Sequence, residues 1–336
     1  VTRGTERRRV ALHAGGAFGA VALLAAGAAL AARVGALGGA LATFVPAAAA
    51  AVFLTGFAYR VGRWLWAPVP FRIPVVTGQH ARVGSLPRSR TGSPRRSLEV
   101  VARVALDAIL FRPLLRTSTL RAGGAASGPW LWLLAALFHG ALAVVLLRHT
   151  RLLLAQPPSW LTTLATADAA LELGSPRVHL TGALLLTGAT LLFLRRLWVP
   201  RVRYVSIAAD YFPLALIAGI AATGLTLRHV TGVDLVAAKS LIRGVATLSG
   251  AGAAEVDAPL LMHLILVSAL LAYFPASKLM HVPAALLSPT LGLANSSRAV
   301  RHQCAWNPPV EFLSYAQYEA DFRAPMREAG LPLSEE

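Results

Sequence analysis

The sequence predicts an all-α fold: a polytopic membrane bundle of about six transmembrane helices. Three observations predict the bundle. Of the 336 residues, 56% are hydrophobic and only 14% are charged, with a mean hydropathy of +0.59. The apolar residues are gathered into runs of roughly 20, the length that crosses a hydrocarbon core of about 30 Å. Trp64, Trp66, Trp130, Trp132 and Trp198 stand at the ends of those runs, where indole rings settle at a membrane–water interface.

The spans are expected at about 10–32, 40–62, 130–153, 177–198, 207–228 and 259–281. The first follows Arg7–Arg9 and runs on to Ala32, too long for the apolar region of a typical signal peptide, so it reads as a retained helix. Two N-terminal spans make a first unit, 1–67. A loop, 68–129, opens on the proline-restricted PVPFRIP. It closes with LEVVARVALDAILFRPLL (98–115), whose helical periodicity predicts an amphipathic helix at the inner membrane surface. Residues 130–287 form a four-helix unit. The outer loops are 154–176 and 229–258, and AAKSLIRGVATL in the second reads as a short interfacial helix. The tail, 288–336, is polar but carries Phe312, Tyr315, Tyr318 and Phe322, which predicts that it docks on a partner.

The net charge of +17 does not point to nucleic acid, because the arginines sit between apolar runs rather than on one soluble face. Positive-inside loops and anionic lipid headgroups account for it. With both termini and the 68–129 loop cytoplasmic, 25 of the 32 Lys and Arg lie on the inner side. Cys304 is the only cysteine, which excludes an internal disulfide and an all-cysteine iron–sulfur site. Any iron–sulfur chemistry belongs to a partner.

Ionisable side chains inside a membrane mark function by default. FHGALAVVLLRH places His139 and His149 ten residues apart in the third span. MHLILVSALLAYFPASKLMH places His263 and His281 eighteen residues apart in the sixth, about five helical turns and so one face. Two helices with two imidazoles each can hold two six-coordinate haems, which makes 130–287 the expected haem-binding unit and the bundle one of the dihaem cytochrome b type. The third span runs outward and the sixth inward, so the expected pairs are His149 with His263 at the outer side and His139 with His281 at the inner side. In straight helices the rises differ, about 15 Å against about 27 Å, and Pro275 is a place where the sixth helix can kink.

These two segments resemble the haem-ligand segments of the respiratory nitrate reductase gamma subunit family, which has the same spacings. RRLWVPRVRYVSIAADYFPLALIAGIAATGL resembles the segment between them. GFAYRVGRWLWAPVPFRIP, LRHTRLLL, FPASKLMH, LSPTLGLANSSR and the Tyr/Glu-rich tail are similar to the DsrM-type membrane cytochrome b subunits of the dissimilatory sulfite-reduction complex. That resemblance implies two haem b groups and exchange of electrons with menaquinone or menaquinol. It also implies a cytoplasmic iron–sulfur partner similar to heterodisulfide reductase, with further membrane and periplasmic multihaem subunits. The chain itself would be an electron-transfer subunit with no catalytic residue of its own. The alternative is the quinol-oxidising membrane anchor of a related nitrate reductase or heterodisulfide reductase-type complex.

Other polar groups have plainer readings. Lys278 either snorkels to the inner surface or meets a haem propionate. Asp210 begins a span, where a carboxylate suits the helix dipole. Arg148, Arg151, Arg177, His179 and His229 gather at the outer side as candidates for a quinone site, the histidines as proton acceptors. His80 and His302 fall in polar loops, and a transporter reading lacks charges along the membrane centre.

Overall fold

The computed structural model describes residues 3–67, 90–92, 94, 96–115, 127–173, 178–250, 252–253, 256–288, 294 and 313–334. Arg177, His80, His302, Cys304 and Phe312 lie outside the described residues, as does most of the 68–129 loop.

The chain is a multi-pass membrane bundle whose six spanning helices each carry an apolar stretch long enough to cross a bilayer. They are α1 (Arg3–Ala32), α2 (Gly35–Trp66), α4 (Ser127–Leu153), α6 (Leu180–Trp198), α8 (Ala208–Thr226) and α10 (Ala258–Tyr273). Between them lie shorter elements: α3 (Ser97–Ile109), α5 (Ser159–Ala170), α7 (Pro200–Val205), α9 (Leu235–Thr247), α11 (His281–Leu287) and α12 (Tyr315–Glu328). A two-residue antiparallel ladder pairs β1 (Glu172–Leu173) with β2 (Val178–His179). The sequence pattern gave no signal for this ladder or for α5.

α8 sits at the centre, against α1, α6 and α10. It buries Tyr211, Ala215, Leu216, Ile217 and Ala221. α4 packs on the far side of α6 through Phe138, Ala141, Leu185 and Ala189. α2 lies along α10, with Ala42 fully buried at the α1–α2 end. The seams are lined with Ala and Gly because, with lipid on the outside, close backbone approach is what gives helices their dispersion contact. Large apolar side chains such as Phe18, Leu23, Phe44, Leu54 and Leu146 point outward, where lipid solvates them. Trp66, Trp130 and Trp198 are also exposed, at span ends.

Polar ties gather at the two rims. At one, Arg9 donates to the Tyr204 carbonyl and covers its ring, and Arg60 donates to the Pro275 carbonyl at 2.6 Å. At the other, Lys239 of α9 donates to the Ala155 carbonyl at 3.2 Å.

The sixth span departs from the expected single helix. α10 ends at Tyr273 and gives way to two 3₁₀ turns, Phe274–Ala276 and Lys278–Met280, joined by an extended Ser277 (φ −106, ψ 177). Pro275 has no N–H to continue the ladder. The Ser277 hydroxyl then accepts from Leu279 N at 3.1 Å and starts the next turn. Gly56 of α2 accommodates this break: a Cβ there would lie 2.8 Å from the Pro275 ring. His263 and His281 are therefore not joined by five straight turns.

α3 also differs from a simple amphipathic helix. Its polar residues are folded inward: Arg103 is buried, Asp107 bonds Arg112 Nε at 2.7 Å, and Arg112 reaches Thr91 Oγ1 at 2.6 Å. Leu98, Val101, Ile109 and Leu110 are left exposed. The helix stops short of 115, breaking at Phe111, two residues before Pro113.

The described end of the tail, 313–334, closes on itself. Ser314 caps α12, Tyr315 bonds the Pro332 carbonyl, and the Ser334 hydroxyl and backbone N–H both donate to Glu319. Those two donors hold the Glu319 carboxyl below the ordinary carboxylate range. Tyr315, Tyr318 and Phe322 stay exposed.

Candidate functional site

Among the described residues, α4 and α10 do not pack along each other. α4 leans on α6, while α10 leans on α1, α2 and α8. Four histidines span the slot that remains. The His139 and His281 rings lie 6.1 Å apart, centroid to centroid, with planes at 88°. The His149 and His263 rings lie 6.4 Å apart with planes at 25°. The antiparallel course of the two segments sets this matching, and the 3₁₀ break places His281 at the head of α11, opposite His139.

Each ring has one nitrogen engaged. His139 Nδ1 meets the Ala135 carbonyl at 2.7 Å, His149 Nδ1 the Val145 carbonyl at 2.7 Å, and His281 Nδ1 the Lys278 carbonyl at 2.8 Å. A carbonyl only accepts, so each Nδ1 carries the proton. His263 Nδ1 meets Thr223 Oγ1 at 3.0 Å, and that hydroxyl already donates its one hydrogen to the Gly219 carbonyl at 2.9 Å. Thr223 therefore accepts from His263 as well. All four Nε2 lone pairs are left for a metal. Gly224 makes room for the outer pair, since a Cβ there would lie 3.2 Å from His263 Cε1.

This arrangement fits a haem. Two metal–imidazole bonds of about 2.0–2.1 Å, with a ring radius of about 1.1 Å at each end, place two ring centroids about 6.3 Å apart. No cluster of three or more His, Cys, Asp or Glu side chains that could hold a metal occurs among the described residues. Each pair supplies two donors only, so the ion it suits is one that arrives with its equatorial donors already in place.

The remaining candidates divide into separate groups. Arg148 forms an ion pair with Asp168 of α5, whose other oxygen accepts from Thr181 Oγ1 at 2.7 Å. Asp168 is 3% exposed. The charge of Arg148 is therefore already matched. Arg151 and Arg228 lie within electrostatic reach of each other and of Arg148. His179 is buried at the ladder, its ring 5.0 Å from that of His229, and its backbone N–H donates to His229 Nε2 at 3.3 Å. His229 lies in a π-helical turn, Leu227–Thr231, that ends α8. At the opposite rim, Lys278 Nζ lies 2.7 Å from Asp210 Oδ1, with Arg196 at 3.9 Å from the same oxygen. Asp210 also accepts from Ile207 N at 3.1 Å, the helix-start role expected of it.

Sequence reasoning missed the parts that three residues play. Asp168 lies in an apolar outer loop twenty residues after Arg148, with Glu172 close by, and nothing in the pattern singled it out. Trp132 donates to the Leu110 carbonyl at 2.7 Å and so ties α4 to the loop after α3. Phe111 lies with its ring centroid 4.9 Å from that of His139. The nearby Pro113 was the one hint of a break there.

Bundle and paired histidines together define a cytochrome b-type membrane protein. The chain belongs to the nitrate reductase gamma subunit family, whose model matches residues 119–294. That stretch holds α4 to α11 and all four histidines. The chain is 36% identical over 273 residues to the Hdr-like menaquinol oxidoreductase cytochrome b-like subunit of Archaeoglobus fulgidus, covering 79% of this chain and 82% of the relative. It is 32% identical over 278 residues to the subunit of the same description from Archaeoglobus profundus, covering 80% and 82%. It is 28% identical over 142 residues to the respiratory nitrate reductase 1 gamma chain of Escherichia coli, covering 40% and 53%.

Proposed function

We propose that this chain is a dihaem cytochrome b that carries electrons between membrane menaquinol and an iron–sulfur partner on the cytoplasmic face. The single observation that carries the reading is the pair of ring-to-ring spacings, 6.1 and 6.4 Å, across one slot between α4 and the α10–α11 segment. His149 and His263 would hold one haem b, and His139 and His281 the other. A bound haem iron supplies one-electron oxidation and reduction. The chain's own part is to fix the imidazoles: the Ala135, Val145 and Lys278 carbonyls and the Thr223 hydroxyl accept from Nδ1, which would leave Nε2 to bind the iron. The printed descriptions of the Archaeoglobus relatives, menaquinol oxidoreductase and cytochrome b-like, support the quinol link. The test is a reduced-minus-oxidised visible spectrum of the purified chain with haem quantified. Two b-type haems per chain are expected, and a haem-free chain would reduce it to a docking anchor.

The finer reading is a subunit of a dissimilatory sulfur-metabolism complex of the DsrM type, working with a heterodisulfide reductase-like subunit and periplasmic multihaem proteins. The tail motif and LSPTLGLANSSR support it over a plain nitrate reductase anchor. Residues 288–336, with exposed Tyr315, Tyr318 and Phe322 on α12, are the proposed docking surface for the iron–sulfur partner. Quinol oxidation is proposed at the outer rim, near His149. Arg151, Arg177, His179 and His229 remain its candidates, whereas Arg148 is engaged with Asp168 and serves better to shape the rim.

The proposed membrane is the cytoplasmic one, with both termini inside. The clustering of Arg9, Arg60, Arg196 and Lys278 at one rim supports this, by the positive-inside rule. With Cys304 replaced by Ser, a cysteine at Arg90 should resist an impermeant thiol reagent added to intact cells, and a cysteine at Ser249 should react. The reverse pattern inverts the map.

A further inference from the structure

We propose that Phe111 is a positioning residue that caps the inner histidine pair, holding His139 in place and excluding water from the group bound there. This rests on the dihaem reading. Phe111 has φ +50, in the left-handed region where a bulky side chain is disfavoured. Such a backbone persists only where its surroundings over-determine it, and such residues collect at functional sites. Here the surroundings are explicit.

The carbonyl on one side, Leu110, is pinned by Trp132 Nε1 at 2.7 Å, and Trp132 stands on the same helix as His139, two turns before it. The residue on the other side, Arg112, is locked by Asp107 and by both the hydroxyl and the carbonyl of Thr91, at 2.7, 2.6 and 3.2 Å. The Phe111 carbonyl accepts from Leu114 N at 3.0 Å, starting the next turn. α3 also packs against α11, the helix that begins with His281. The α3 segment is thus fastened to both helices of the inner pair, with the Phe111 ring turned onto His139 at 4.9 Å. Phe138 meets His139 edge-on from another side at 5.0 Å, so the imidazole is held between two aromatic rings.

An apolar cap raises the cost of the extra positive charge on a ferric centre, because it removes the water that would solvate that charge. Losing the cap should therefore lower the midpoint potential of the haem assigned to His139 and His281. Phe111→Ala removes the ring. Phe111→Gly removes it too but relieves the left-handed backbone, so it separates loss of the ring from the backbone strain that Ala retains. Phe111→Leu restores an apolar cover.

The experiment is a potentiometric titration of the full chain in membranes, with the two components assigned from His149 and His281 variants. The expected result is a downward shift of the inner component in the Ala and Gly variants. The outer component stays in place and Leu recovers part of the shift. Two unchanged components in Phe111→Gly, or equal movement of both, overturns the cap. A parent chain with no haem overturns the dihaem reading instead, so the two failures are distinct.

Discussion

Replacing His149 or His263 with Ala should remove one of the two proposed haems and the same one in both variants, while His139→Ala or His281→Ala should remove the other. Haem content should fall by half in each case. The effect is all-or-none because each pair offers only two protein donors, and no third His, Cys, Asp or Glu clusters with either among the described residues. The second ring cannot keep six-coordination alone. Combining variants within a pair should cost nothing further in haem content, whereas combining across pairs should empty the protein. Haem quantification with redox titration of the remaining component reads the outcome. If His149→Ala and His281→Ala deplete the same component, the pairing is wrong.

The second large effect belongs to Asp168. Its side chain and that of Arg148 are 2% and 13% exposed. An ion pair in such surroundings stabilises little in net terms, since both ions lost their water. Removing one partner is another matter, because the other is then left charged and unsolvated. Asp168→Ala should destabilise the outer end of the bundle by about 3–5 kcal/mol. It also strips the acceptor from Thr181 and leaves Arg148 facing Arg151 and Arg228. The double variant Asp168→Leu with Arg148→Met should recover most of that loss. Unfolding in detergent, followed by tryptophan fluorescence, measures both. An Asp168→Ala protein as stable as the parent would show that the pair is solvated.

The six spans were legible because length and apolar composition are local properties, and a bilayer imposes one length on every helix. Which histidine ring faces which was legible from the opposite courses of the two segments, not from straight-helix spacing, because the 3₁₀ break lies between His263 and His281. What stayed hidden depends on neighbours distant in sequence. Pro275 marks a weak point in the sixth span. The depth of the break, however, is set by Arg60 on the Pro275 carbonyl and by the close approach of Gly56. Lys278 was left between two readings, and its contact with Asp210 crosses 68 positions. The 98–115 stretch has helical periodicity throughout; Pro113 marks a break within it, but the geometry at Phe111 is fixed by Trp132 and Thr91, neither of which its own pattern contains. Asp168 drew no reading from the sequence, because only the fold of α5 brings it to Arg148, twenty positions away.

The two imidazole pairs differ in one respect that bears on electronic structure. Planes at 88° in the inner pair would present an iron held by His139 and His281 with two different ring orientations. Planes at 25° in the outer pair would present one held by His149 and His263 with nearly a single orientation. Low-spin ferric iron at the proposed inner site would then be nearly axial in its magnetism and at the proposed outer site rhombic, so one ligand chemistry, used twice in one slot, would give two different orbital characters.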